Sequence, residues 1–286
     1  MSILVPEQVR EALDVHVVSF LGGRLNKHWL VDVCGHKLVL RRWAADREDA
    51  GYERDLRQAI RASGWPVARD VTALTEIAGE LWSLAEFLPG EPHPEKNSAA
   101  ELSLRGRLMA EFHQVTASLN PGRRKHWRLP DEILSDDHLE QVFEHCPDVR
   151  LRRLLFWHLQ RGRQLAAGLP WSEQSLQLIH GDFTPWNLLY REGQLSGLLD
   201  CEMSRPEYRI SEFALSWRGR YDALIHAYHA VSPLSAPEWN MLTPAWWALL
   251  LEGAYRNLVS GTEDQGWTAG MLLRRSPLMG IESCPC

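Results

Sequence analysis

IHGDFTPWNLLYREGQLSGLLDCE, residues 179–202, contains two apolar runs that each lead into acid: QLIHGD ends at Asp182 and LSGLLD ends at Asp200, with Glu202 two residues on. Between them lie Asn187 and the turn pair Glu192-Gly193. Asn187 follows Asp182 by five residues, and Asp200 follows Asn187 by thirteen. A hairpin over YREGQLSG can bring Asp200 back beside Asn187. Moving a phosphoryl group to a hydroxyl calls for such a set. One carboxylate accepts the proton of the attacking hydroxyl, and an amide with a further carboxylate holds Mg²⁺ against the phosphates. A lone His-Gly-Asp says little, since many strands end in such a turn. The joint spacing carries the argument.

The interval Asp182-Phe-Thr-Pro-Trp-Asn187 equals that of the protein-kinase catalytic loop, and Leu-Leu-Asp200 stands where the metal-binding Asp of the DFG segment would. His180-Gly181-Asp182 with Asn187, followed by Asp200-Cys201-Glu202, resembles the two signature motifs of the aminoglycoside phosphotransferase and choline kinase superfamily, with Cys201 where an aromatic is common. These are small-molecule kinases. The resemblance implies an α+β, protein-kinase-like two-lobed fold, with a small antiparallel β N-lobe and a larger helical C-lobe. It implies ATP (with GTP as the alternative) and Mg²⁺, Asp182 as catalytic base, and Asn187 and Asp200 as metal ligands. Glu202 is implied as an auxiliary ligand or as a support to one, and His180 as a support of its loop.

The N-terminal half fits. VHVVSFLGGRLNKHWLVDVCGHKLVLRRW reads as strands broken at Gly22-Gly23 and at a Cys-Gly-His turn. Backbone N–H groups at a glycine turn can meet phosphate oxygens. Gly22, Gly23 and Asn26 look like the G-G-x-x-N loop of choline kinase and its relatives. On KLVLRR the family pattern points to Arg41 as the phosphate-holding cation, with Lys37 as the alternative. Arg keeps its charge and grips phosphate bidentately. Glu53 is the expected partner of Arg41, ahead of Glu48, on a helix with Asp46 as N-cap and Gly64 as stop. GELWSLAEFL is a further strand, and Glu86, Phe87 and Leu88 resemble the segment that meets adenine through its backbone. Residues 1–88 are therefore expected as the nucleotide lobe and 89–286 as the catalytic and acceptor lobe, with helices near 98–118, 148–168, 209–230 and 244–260. His113, on the first of these, is read as structural.

Composition narrows the partners. A net charge of −6 with scattered Arg residues argues against nucleic acid. No apolar run is long enough for a membrane span, and MSILVPEQVREALD has neither the basic flank nor the apolar core of a signal peptide. Five widely spread Cys give neither a disulfide framework nor zinc spacing, and the terminal Cys-Pro-Cys reads as a frayed end. A reduced, cytoplasmic setting follows.

For the acceptor, TPAWWALLLEGAYRNL offers Trp247 and Tyr255 as aromatic walls for a cation and Glu252 as a charge. Taken alone, each aromatic reads first as core packing. Trp186, inside the loop, packs beneath it or touches substrate. A cationic antibiotic ranks first as acceptor, followed by choline, thiamine or a similar alcohol. A nucleotide-binding protein without catalysis is the reading from another class, motivated by Arg41 and the short glycine loop. A protein kinase is a third reading, against which the chain passes straight from Glu202 through RPEYRISEF into a helix, with no A-P-E segment.

Overall fold

The computed structural model describes residues 4–23, 25–264 and 266–280, so the Cys-Pro-Cys tail lies outside the described residues. In chain order the elements are α1 (Glu7–Ala12), β1 (His16–Gly22), β2 (Lys27–Val33), β3 (His36–Trp43), α2 (Arg47–Ala62), β4 (Thr75–Ile77), β5 (Glu80–Glu86), β6 (Glu91–Pro92), α3 (Ala99–Thr116), α4 (Pro130–Ser135), α5 (His138–Glu144), α6 (Val149–Ala166), β7 (Gln177–Ile179), β8 (Leu188–Arg191), β9 (Gln194–Leu198), β10 (Arg205–Glu207), α7 (Phe213–Trp217), α8 (Asp222–Val231), α9 (Ala236–Ser260) and α10 (Trp267–Leu272). Among the described residues no helix is long and apolar enough to cross a membrane.

By compactness the chain forms two units. One holds the chain up to Pro94 together with Trp186–Ser204; the other holds Glu95–Pro185 and the chain from Arg205 onward. The first unit is built on an antiparallel sheet ordered β1-β2-β3-β5-β4. Alternation puts Trp29, Val31, Leu40, Trp82 and Leu84 on one face, where they join Val5, Val9 and Val15 in a core. Helix α2 starts on Asp46, whose side chain accepts from the Asp49 N–H at 2.9 Å. The hairpin β8–β9 turns through Glu192 (φ 53°) and Gly193 (φ 79°), two left-handed residues in the pattern of a type I′ turn. It belongs with the first unit for clear reasons. β8 pairs with β6, Ser196 Oγ donates to the Pro89 carbonyl at 2.8 Å, and the Leu198 N–H donates to the Pro66 carbonyl at 2.8 Å.

The second unit is mostly helical. α3 and α8 lie so close that a Cβ on Gly106 would strike the Leu224 carbonyl, which is why glycine stands there. The helix expected over 209–230 is broken: a 3₁₀ turn (Arg209–Glu212) leads into α7, and left-handed Arg218 and Gly219 separate α7 from α8. The helix expected to start at Thr243-Pro244 instead begins eight residues earlier, on a capping box of Ser235 and Glu238, and Pro244 lies inside it. β7 pairs with β10, a strand the sequence reading did not anticipate.

Candidate active site

On the first unit, Arg41 and Glu53 form a bidentate ion pair, with Nη1–Oε1 at 2.5 Å and Nη2–Oε2 at 3.0 Å, and both side chains are buried. The guanidinium also stacks 3.6 Å above the Trp43 ring, whose Nε1 is tied to Ser83 Oγ at 2.9 Å. Both alternatives weighed from sequence, Lys37 and Glu48, are exposed. Burial opposes the Arg41 charge, but Glu53, then Asp200 and Glu202, more than offset it and hold the guanidinium pKa above its usual value. A locked cation among carboxylates is well placed to meet an anion carried on a metal.

Asn26 is buried and works with both ends of its amide. Its Nδ2 donates to Glu202 Oε2 at 2.6 Å, and its Oδ1 accepts from the Ala44 N–H at 2.9 Å. Gly23 sits at φ 117°, and a Cβ there would collide with the Asn26 carbonyl oxygen. The glycine turn is thus folded tightly onto Asn26, and only glycine fits. Asp200 itself is exposed and left-handed (φ 61°), a strained setting of the kind found at working sites. Asn187 is buried, and its carbonyl accepts from the Leu199 N–H at 2.8 Å across the hairpin. Burial, then the charges of Asp200 and Glu53, push the Glu202 carboxyl up to about 7. So much negative charge around one half-buried acid fits a site that takes up a cation. Among the described residues no group of three His, Cys, Asp or Glu is set to hold a metal alone. Mg²⁺ does not require one, because it binds through one or two side chains plus phosphates and water.

Glu86 closes β5. Its backbone N–H donates to the Arg69 carbonyl at 2.9 Å and its carboxylate pairs with Arg69 at 2.8 Å and Arg61 at 3.3 Å. Phe87 and Leu88 follow, half-buried. Cys201 is buried, which makes it a packing residue rather than a reactive one.

On the second unit, the loop after β7 is held by its backbone. The Glu212 carboxylate accepts from the His180 N–H at 2.6 Å and the Gly181 N–H at 2.8 Å. It also faces His113 Nε2 at 3.3 Å, while His113 Nδ1 meets the Tyr228 hydroxyl at 2.8 Å. Burial would raise the Glu212 pKa, yet the bonds and charges of His113 and His180 bring it below the usual value, so the acid stays ionised in a dry setting. Arg105, paired with Glu101 at 2.7 Å, donates to the Phe183 carbonyl at 3.3 Å, and Ser216 Oγ donates to the same carbonyl at 2.8 Å. Asp182 is half-buried, and its backbone N–H donates to His180 Nδ1 at 3.3 Å. The sequence reading found His180, Asp182 and His113 but missed Glu212, Arg105 and Ser216.

A family model described as the phosphotransferase enzyme family, APH, matches residues 16–239. The chain belongs to that family. Curated relatives include homoserine kinase of Xanthobacter autotrophicus, 28% identical over 251 residues covering 78% of this chain and 74% of that one. Homoserine kinase of Zymomonas mobilis is 24% identical over 284 residues, covering 87% and 83%. Among solved structures, a thermostable mutant of aminoglycoside phosphotransferase APH(4)-Ia aligns with TM-score 0.71 at 18% identity, over 94% of this chain and 97% of that one. A microcompartment-associated aminopropanol kinase aligns with TM-score 0.67 at 16% identity over 92% of each chain. The fold is thus the protein-kinase-like two-lobed one, and the phosphotransferase is a small-molecule kinase.

The acceptor candidates lie elsewhere in the phosphotransferase's second unit, apart from Trp186 on the first. Trp247 is wholly buried, packed against Trp157 and His158. Glu252 is buried and held by Arg128 and by Arg256 Nε at 2.8 Å. The acid within an apolar helix has its reason there, an internal ion-pair network. Tyr255 stands against His138 and Arg128. Trp186 is 42% exposed.

Proposed function

We propose that this phosphotransferase transfers the γ-phosphoryl group of Mg·ATP to the hydroxyl of a small metabolite of the homoserine type. The observation that carries the phosphoryl-transfer half is the buried Arg41–Glu53 pair, set among the charges of Asp200 and Glu202. In this reading the turn at Gly22 and Gly23 and the Arg41 guanidinium hold the phosphates. Backbone groups of Glu86, Phe87 and Leu88 meet the base. Asn187 and Asp200 hold Mg²⁺, with Glu202 in support, and the ion supplies charge to the phosphate oxygens. Asp182 orients the acceptor hydroxyl and takes its proton as the oxygen attacks the γ-phosphorus in line and ADP leaves. Catalysis is then positioning plus charge stabilisation. Residues 1–88 serve the nucleotide, and 89–286 serve catalysis and the acceptor.

Four curated relatives at 24–28% identity, all homoserine kinases, support a small acceptor. The case for a polycationic antibiotic leaned on Glu252, which already serves Arg128 and Arg256. The test is ADP release with Mg·ATP and Mg·GTP over homoserine, choline, thiamine, aminoglycosides and macrolides, with Asp182→Asn as control. Turnover with homoserine that disappears in the control is the expected result. Phosphorylation of an aminoglycoside but not homoserine would reverse the acceptor assignment. Intact Mg·ATP binding with silence across the panel would favour the non-catalytic reading.

A further inference from the structure

Arg41 and Trp43 lie two residues apart on β3, so both side chains leave the same face of the sheet, opposite the core that Leu40 joins. Ser83 of β5 stands directly across from Arg41 in the strand register. Trp43 Nε1 donates to Ser83 Oγ at 2.9 Å, which turns the indole back along the strand toward Arg41. The ring centroid then lies 3.6 Å from the guanidinium carbon. Helix α2 supplies the other contacts. Glu53 takes Nη1 and Nη2 of Arg41, and Arg57, one turn on, brings a second buried guanidinium to 5.7 Å from the same ring. Arg57 is held in turn by Asp70, with Nη2–Oδ1 at 2.5 Å, and Asp70 is bridged through its backbone to Ala85 on β5.

Glu53 grips the Arg41 fork along one edge. A pair joined along one edge leaves the plane of the fork able to tilt about it. Arg41 Nε does not prevent this, since it is buried with no hydrogen-bond partner among the described residues. An aromatic face does prevent it. The face restrains the guanidinium plane without taking up any in-plane N–H donor, as a second carboxylate or a carbonyl would. Arg41 is thereby fixed in orientation while the N–H groups not spent on Glu53 remain for an oxyanion.

We propose that Trp43 is a positioning residue for the nucleotide: its indole, tethered by Ser83 and flanked by the Arg57–Asp70 pair, holds the Arg41 guanidinium in the plane that meets the phosphates of Mg·ATP. This rests on the reading of Arg41 as the phosphate-holding cation. The platform acts on a planar cation, and that separates positioning from packing. A lysine in place of Arg41 has no plane to orient, so it gains little from the ring. A ring that merely fills the core is worth the same beside either cation.

A double-mutant cycle makes that distinction. The Kd for Mg·AMP-PNP, which needs no acceptor, is measured by calorimetry for the wild type, Trp43→Leu, Arg41→Lys and the double variant. Trp43→Leu should weaken binding about tenfold, within the range for a desolvated cation–π contact. Arg41→Lys should weaken it by a similar factor. The double variant should bind no more than about twofold worse than Arg41→Lys alone. Trp43→Phe, which keeps an aromatic face, should recover most of the affinity that Trp43→Leu loses. Where Trp43→Leu does not fold, Trp43→Phe serves in the cycle. Its smaller loss, about two- to threefold because indole is the better platform, should appear with Arg41 present and vanish in the Arg41→Lys background. Equal losses from the Trp43 change in both backgrounds would reduce the ring to packing and overturn the proposal while leaving the role of Arg41 intact. Unchanged affinity in Trp43→Leu would overturn it as well. An Arg41→Lys protein that binds Mg·AMP-PNP as tightly as the wild type would remove the reading of Arg41 and this inference with it.

Discussion

Asp182 and Asp200 each follow an apolar strand, yet the protein holds them by opposite means. Around Asp182 the backbone is pinned by ions buried out of water: Glu212 accepts from His180 and Gly181, and Arg105 reaches the Phe183 carbonyl. Asp200 is exposed, left-handed, and surrounded by further acid that drives Glu202 up to about 7. The first arrangement fixes a position; the second concentrates charge. A base must point at one proton, so rigidity suits it. A metal ligand waits for a cation to complete its surroundings, and unrelieved negative charge suits that.

The widest split between the two should come from Asp182→Asn. Removing the proposed base without disturbing the loop should cut turnover by about 10³-fold, within the usual range for general-base loss. Mg·ATP binding, read by calorimetry, should persist. Near-normal turnover would remove Asp182 from its role.

Glu212→Ala probes the pinning itself. Two buried N–H groups lose their acceptor and His113 loses the carboxylate its Nε2 meets, which should cost about 3 kcal/mol or more and lower Tm by roughly 5–10 °C. A melting curve that overlays the wild type would mean that water replaces the carboxylate and that the loop is not held as described. On the other unit, Arg41→Lys keeps the charge but gives up the bidentate grip on Glu53 and the stack on Trp43. The KM for ATP should rise about tenfold, with less effect on the acceptor KM. Equal rises in both would show that the pair supports the whole active site and not the nucleotide alone.

The same contrast explains what could be read from the chain. The motif of Asp182, Asn187 and Asp200 was legible as a spacing along the chain, and the turn at Glu192-Gly193 that returns β9 beside β8 was legible with it. The pairing of Arg41 with Glu53 was nearly so: the strand phase left Lys37 open, and in the structure it is Arg41 that is buried against Glu53. Glu212 was not legible. It lies 32 residues after His180, and its reach to two backbone N–H groups depends on how β7 and the 3₁₀ turn pack. The break at Arg218 was hidden by apolar residues on both sides at helical spacing, although Gly219 was a readable signal. Ser235-Ala-Pro-Glu238 was also a readable capping box, and Pro244 drew the eye from it.

The mildest test asks whether the two units share one weakness, acid. Burial pulls His158 down to about 4, with Arg275 adding to the effect against a bond to the Leu154 carbonyl at 2.7 Å. Burial and Arg41 likewise pull His28 down to about 4 in the first unit. Each imidazole is therefore neutral in the fold down to about 4, whereas an unfolded histidine takes up its proton near 6.5. Between those values the unfolded chain binds protons that the folded chain does not, so stability is whole above about pH 6.5 and declines as pH falls toward 4. From pH 7 to 5 each histidine should remove about 1–2 kcal/mol. His158→Phe and His28→Phe should each flatten the fall of Tm over that range, whatever they do to Tm at pH 7. If only one of them flattens it, acid acts through that unit, and the two differ in acid sensitivity as they do in how they hold their aspartates.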